Sequence, residues 1–390
     1  MGTDKCKIIV AGDLLPSENN YYLFEKGNAE ILFGKEICSL FENSDFSIAN
    51  LEGPLTEANV PQSKDGPCIK APMSTIKGIK NLGLSAVALS NNHITDYLQQ
   101  GYKDTIEVLE RAGIKHLGVV KGEGDNYLDA GKFLSINLRD LKICIYNVSE
   151  TFFNLPTCED FGANVYDEWV VCNEIKELKK SHDFLIVIYH GGAEYLPYPT
   201  PQTKKRFYRM ADCGADFITA QHTHCIGCEE WYNGSYLLYG QGNFLFDRQK
   251  KYPMLTKQGL VTEITISHKG FTINNHIVNI ADNVLCYDAS QDLTSFQERS
   301  CHVCDLKFII DEYQKLEVME IMRNYLLAAQ GKYPLRRFIR RLFPNSWRHP
   351  ESLYSKSQLL RNYKVLLGER SREDMLYVWK FLLDKFPLDN

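Results

Sequence analysis

The chain has no long hydrophobic run. No stretch approaches the roughly 20 consecutive apolar residues that cross a bilayer. The opening MGTDKCKIIVAGDLL is charged at once and holds an apolar strand of only about seven residues, so neither a signal-peptide core nor a spanning helix is expected. Charge of one sign is not in excess either: 44 Lys+Arg against 49 Asp+Glu leave a net charge of −5, which removes a whole-chain case for nucleic-acid binding. Internal repeats and low-complexity tracts are missing. So is a glycine-rich phosphate loop, because the glycines of VKGEGDN (120–126) open no helix and read as a surface turn. The 12 cysteines are scattered, several inside strand-like runs such as 141–148, which suits buried thiols in a reducing cytosol better than a disulfide framework. The chain is therefore expected in the cytoplasm.

A length of 390 residues, 44% of them apolar, predicts a large catalytic-sized core with an accessory region. Short β-branched runs recur at 7–10, 46–48, 86–89, 142–147, 184–189, 217–219, 236–238 and 259–267, with helix-like segments between them at 101–112 and 167–181. This is an α/β layered pattern. The strands are nearly all apolar, so both faces are expected to be buried, by helices on both sides of a sheet or by a second sheet behind it. From about residue 234 strand follows strand, which predicts an antiparallel element. After about residue 292 the sequence turns helical, with segments at 313–329, 352–367 and 372–385, and a boundary near 295 divides a domain of 1–295 from a basic, helical region of 296–390. Residues 301–390 carry a net +5 and the rest −10. Residues 332–372 hold eleven Lys/Arg against two acidic residues, with Arg336, Arg337, Arg340 and Arg341 interleaved with apolar side chains. That segment reads either as a solvated helix packing an apolar stripe on the core, or as a contact for an anionic membrane surface or an acidic partner.

Chemistry-bearing side chains stand where the strands end. Asp13 follows the first strand in VAGDLL, Glu52 the second in SIANLEG, and Asn92 and His93 the third in ALSNNHITD. His190 ends a later strand in LIVIYHGGAEY, and His222 and His224 end the next in FITAQHTH. Loops at the carboxyl ends of strands line the crevice of α/β sheets, so groups distant in sequence can converge there. Asp13, Glu52, Asn92, His190, His222 and His224 form a mixed N/O set without thiolate, suited to Mn, Fe or Zn rather than to a structural zinc or to calcium. A carboxylate can bridge two such ions, and an imidazole not spent as a ligand can protonate a leaving oxygen.

Taken in order, these motifs resemble the calcineurin-like metallophosphoesterase superfamily and, within it, the bacterial capsule synthesis CapA family associated with poly-γ-glutamate. The resemblance covers roughly residues 6–285 through AGDLL (11–15), SDFSIANLEGPLT (44–56), ALSNNHITDY (88–97), AGIKHLGV (112–119), YHGGAEY (189–195), CGADFITAQHTH (213–224) and LLYGQGNFLFD (237–247). It implies an αββα metallophosphatase-like sandwich with a C-terminal helical appendage. It implies two divalent ions, with Asp13 as a first-strand ligand, Glu52 as the bridge, Asn92 and His190 as further ligands, and His222 and His224 each facing one ion. His93 takes the place of the histidine that contacts the phosphate or leaving group. Glu194 and Tyr195, from an HxGxEY motif, and Asn243, from a GNF motif, are placed beside the cleft as substrate contacts.

Three positions depart from the superfamily pattern. Leu15 stands where its Asp-x-His motif has histidine, Glu52 where it has a bridging aspartate, and Gln221 where a glycine opens its GHxH motif. The function implied is a metal-dependent hydrolase acting on a phosphoester or related anionic bond in capsule, exopolysaccharide or poly-γ-glutamate metabolism. The alternatives are a non-catalytic polymer- or partner-binding component of a capsule assembly machine, and a γ-glutamyl amide hydrolase. The partners expected are an anionic small molecule or polymer as substrate, and a membrane surface or capsule-assembly protein through 332–372. Two CxxC pairs, Cys225 with Cys228 and Cys301 with Cys304, would bind zinc if they met in space.

Overall fold

The computed structural model describes residues 5–62, 64, 66–121, 131–150, 161–247 and 253–313. Among these, the apolar runs pair into two large sheets. The first has the order Val284–Tyr287, Gly270–Ala281, Gln258–Ser267, Cys6–Leu14, Phe46–Leu51, Ala86–Ala88 and Lys115–Leu117, with Asn243–Leu245 also paired to Cys6–Leu14. Cys6–Leu14, Phe46–Leu51 and Ala86–Ala88 run parallel, so their carboxyl ends share one edge. The three strands from Gln258 onward are antiparallel, as the late strand-after-strand pattern predicts. The second sheet has the order Glu229–Tyr232, Ser235–Leu238, Phe217–Gln221, Phe184–His190, Leu141–Ser149 and Phe133–Leu138, and is parallel across its centre.

Alternation along each strand separates three cores. Ile8, Val10 and Ile48 of the first sheet pack with Ile143, Ile145, Ile186 and Ile188 of the second, so the two sheets lie face to face. Their neighbours Ile9, Ala11 and Ala49 face the other way, onto Phe24, Phe33, Phe41, Ile79 and Leu109 of the helices between residues 21 and 112. On the far side, Tyr146, Leu185 and Val187 pack against Val171 and Ile175 of helix Glu168–Lys179 and against Phe207 and Met210 of helix Pro201–Asp212. The layers are therefore helix, sheet, sheet, helix, which is why strands such as Phe184–His190 are buried throughout. Gln221 does more than occupy a glycine's place. Its amide donates to the Ala11 carbonyl at 3.0 Å, and the Gln241 amide donates to Val10 at 2.6 Å, tying the two sheets at their functional edge.

The described residues between 5 and 62 and between 68 and 309 form one compact unit, which takes in helix Thr294–His302. The helical segments expected beyond Tyr313, with the basic stretch 332–372, lie outside the described residues. Among the described residues no helix is long and apolar enough to cross a membrane.

Candidate metal centre

Backbone irregularities aim the site residues. Strand Cys6–Leu14 shifts register against Phe46–Leu51 between Ala11 and Asp13, and a bulge of this kind re-aims the next side chain. Gly12 occupies the break, and a Cβ there would lie 2.1 Å from the Gly242 carbonyl oxygen, so no other residue fits. At the end of strand Phe217–Gln221 the chain turns through His222 and His224, both with positive φ, +87° and +53°. Non-glycine residues hold such angles only where surrounding structure imposes them, commonly at functional sites.

The carboxyl ends of five strands meet as the sequence predicts. Glu52 Oε1 lies 3.6 Å from His190 Nε2 and 3.8 Å from His224 Nε2. His190 Nε2 is 3.0 Å from Asn92 Oδ1, and Asp13 Oδ2 is 3.4 Å from His224 Nδ1. Two sets of ligand atoms, each within 4.8 Å of one another, share Glu52: Glu52 with His190 and His222, and Asp13 with Glu52 and His224. His222 and His224 fall in different sets of these two, and a third set joins both of them with Glu194.

The environment of Glu52 tests whether a cation fits. The residue is fully buried, and among the described residues neither carboxylate oxygen has a hydrogen-bond partner. Burial and then the Asp13 carboxylate push its pKa well above the usual range. Burial works against protonating His224, yet the carboxylates of Glu52 and Asp13 outweigh it and hold its pKa at about 10. His190 is driven the other way, first by burial and then by the imidazoles of His222, His224 and His93. Two buried carboxylates that face each other cost several kcal/mol unless positive charge compensates them, and the His224 imidazole alone can offset one of the two. A pocket that draws protons onto Glu52 and His224 while offering nitrogen and oxygen lone pairs fits a divalent cation.

Other residues hold this set in place, and sequence reading passed over them. Asn50 Nδ2 donates to Asp13 Oδ1 at 2.8 Å and lies 3.3 Å from His190 Nδ1. Asn91 Nδ2 donates to Asn50 Oδ1, while Asn91 Oδ1 accepts from the His93 backbone N–H. His93 Nδ1 is 2.6 Å from Asp96 Oδ2, which also accepts from the Ile69 N–H, so that carboxylate is fixed and orients the ring. All three, Asn50, Asn91 and Asp96, sit within three residues of a predicted ligand or of His93, and that adjacency was the available signal.

The residues expected at the cleft divide. Glu194 is half-exposed, with Oε1 3.8 Å from His222 Nε2, and Tyr195 lies with its ring alongside that of His224. Asn243 is fully buried behind His224: its Nδ2 donates to the Thr256 carbonyl, which turns its Oδ1 toward His224 Nδ1 at 2.8 Å. That contact places a proton on Nδ1 and presents Nε2 to Glu52, the arrangement in which a histidine ligand is oriented from behind. Leu15 points into the apolar core, so the first strand contributes Asp13 alone.

The four CxxC thiols do not form a metal group among the described residues. Cys225 and Cys228 are fully buried, and burial pushes the Cys225 thiol up to about 12 and Cys228 higher still. Cys301 and Cys304 are exposed, and Cys304 is spent on Glu230. Reactivity follows thiolate content and access. Iodoacetamide at pH 8 should label Cys286 and Cys301 in the folded protein while leaving Cys225 and Cys228 unmodified; peptide mass spectrometry showing labelled Cys225 would contradict this burial.

Known proteins share part of this sequence. The Capsule biosynthesis protein CapA of Bacillus anthracis is 26% identical over 254 residues, covering 63% of this chain and 61% of that protein. The PGA biosynthesis protein CapA of Bacillus subtilis is 28% identical over 245 residues, covering 61% and 62%. The chain thus spans about three fifths of the length of each of these relatives. A crystal structure of a novel phosphatase from Mycoplasma pneumoniae aligns with a TM-score of 0.46 at 16% identity, over 75% of this chain and 99% of that one. The model of the bacterial capsule synthesis protein PGA_cap matches residues 7–248. Because that span is well over half the chain and contains every residue of the pocket from Asp13 to Asn243, this protein belongs to the bacterial capsule synthesis PGA_cap family.

Proposed function

We propose that the protein is a metal-dependent hydrolase acting on a phosphoester or related anionic bond in capsule, exopolysaccharide or poly-γ-glutamate metabolism. The observation carrying this reading is the buried Glu52 carboxylate, which accepts no hydrogen bond among the described residues and is shared by two sets of ligands. Asp13, Glu52 and His224 would hold one divalent ion, and Glu52, His190, His222 and Asn92 a second, with Mn, Fe or Zn as candidates. Bound there, two such ions would supply polarisation of a phosphoryl or carbonyl group and neutralisation of the charge developing on it. The chain's own residues supply the rest. Asn50 and Asn243 fix the ligand side chains from behind, which lowers the cost of organising the site. His93, whose Nδ1 is held by Asp96, would deliver a proton from Nε2 to the departing oxygen, and the Asp96 carboxylate would stabilise the ring when it is charged.

Turnover of phosphomonoesters, phosphodiesters and γ-glutamyl amides with Mn, Fe or Zn tests this. Hydrolysis of a phosphoester that needs added metal is expected. Cleavage confined to γ-glutamyl amides would replace the phosphoester reading, and metal uptake without any turnover would favour a polymer- or partner-binding role. His93→Asn should lower kcat by about 10²–10⁴ with metal content unchanged, the range typical of a lost general acid. A variant that keeps full kcat would remove His93 from the chemistry.

A further inference from the structure

We infer that Glu194 is itself a cation ligand, completing the side of the pocket formed by His222 and His224. This rests on the reading that the pocket binds divalent ions, and it differs from a substrate contact, the role that sequence resemblance implies for Glu194. Ligand atoms of Glu194, His222 and His224 lie within 4.8 Å of one another, with Glu194 Oε1 and His222 Nε2 separated by 3.8 Å. That gap is too long for a hydrogen bond. It is the spacing of two donor atoms that each reach a shared ion across bonds of about 2.0–2.2 Å. The Glu52 oxygen stands off His190 and His224 by nearly the same distances, 3.6 and 3.8 Å.

Supply and demand point the same way. The first strand offers only Asp13, because Leu15 is turned into the core, and both Asp13 oxygens already accept hydrogen bonds, from Asn50 and from the His222 N–H. Glu52 is shared between two ligand sets. Glu194 is a further carboxylate facing the two imidazoles, with its side chain 45% exposed.

Glu194 is also held there by its loop. The Tyr195 N–H donates to the Thr223 carbonyl at 2.7 Å, fastening the residue after Glu194 to the middle of the histidine turn. Tyr195 adopts a φ of +63° and Gly192 of +105° to reach this position. A Cβ at Gly191 would meet Tyr189 at 2.7 Å and Glu150 at 2.8 Å, so the loop is packed tightly from behind. The Gly192 N–H donates to Glu150 Oε2, whose other oxygen is bound by the buried Arg206. A side chain on so constrained a loop loses little freedom when it ligates.

The test is calorimetric titration of metal-free full-length protein with Mn(II) alone, in the absence of substrate, for wild type, Glu194→Gln and Glu194→Asp. Glu194→Gln should weaken Mn(II) binding at least about tenfold, since even residues one step behind a ligand cost 10–100-fold. Glu194→Asp should recover part of the loss. The Mn(II) electron paramagnetic resonance spectrum should change in Glu194→Gln as a coordinating oxygen is replaced. Equal affinity and an identical spectrum in wild type and Glu194→Gln would overturn the assignment of Glu194 while leaving the pocket as a cation site. Failure of the wild type to bind Mn(II) would overturn both.

Discussion

Replacing Glu52 with glutamine is expected to make the metal-free protein more stable and to abolish its stabilisation by cations. In the metal-free fold Glu52 is fully buried beside Asp13, and neither of its oxygens has a hydrogen-bond partner among the described residues. Whether it stays charged or takes up a proton, the fold bears a cost for holding it there. Relieving the charge that burial and the Asp13 carboxylate disfavour should return about 1–3 kcal/mol, the size of one unsatisfied buried group. Glutamine keeps the shape while losing the charge, and can donate toward the Asp13 carboxylate. The opposite holds once cations are present: the wild type should gain about 2.7 kcal/mol at an ion concentration near 100 times Kd, and Glu52→Gln should gain almost nothing. Urea unfolding in chelator and in excess Mn(II) measures both quantities. A variant less stable than wild type in chelator, and still stabilised by Mn(II), would show that Glu52 is held by the fold for some other purpose. Stability given up for a reactive or binding site is a recurring trade in natural proteins.

The second large effect is expected away from the ligands, at Arg206. Its guanidinium is 1% exposed and donates to Glu150 Oε1 and to the Tyr189 hydroxyl, both at 2.8 Å, while lying over the Tyr166 ring. Arg206→Met strands the Glu150 carboxylate in the interior, and breaking a buried pair from one side costs about 3–5 kcal/mol. Removing both charges as Arg206→Met with Glu150→Leu should recover much of that loss, but not all of it. The Gly192 N–H then loses its acceptor, Glu150 Oε2 at 3.0 Å. Hydrogen exchange should accordingly rise across residues 190–195 in the double variant even where global stability returns. An Arg206→Met variant within about 1 kcal/mol of wild type in urea unfolding would show that the pair contributes little.

These two residues also differ in how far the sequence locates them. Glu52 was legible because it closes an apolar strand in SIANLEG, as Asp13, His190 and His222 close theirs, and strand ends in an α/β sheet are where binding groups gather. The αββα layering followed from strands apolar on both faces together with the resemblance carried by the same motifs. Arg206 was not legible. It lies in PQTKKRFYRMAD, a helix whose composition reads as a solvated face, and its burial comes from a glutamate 56 residues away. No local periodicity encodes such a pairing. Asn243 illustrates a subtler limit: the motif located it beside His224, but only its bond to Thr256 turns it behind the imidazole and away from the cleft. The bulge at Gly12 is similar, since the glycine is visible in AGDLL and the Gly242 carbonyl that requires it is 230 residues along the chain.

The most direct test of the pocket as a cation site is anomalous diffraction from crystals of the wild type and of Glu52→Gln, each soaked with Mn(II) and measured to the same dose. The expected result is anomalous density in the wild type between Glu52, His190 and His222 and between Asp13, Glu52 and His224, and none at either position in Glu52→Gln. Empty maps at both positions in the wild type, or density equally strong in the variant, would contradict it.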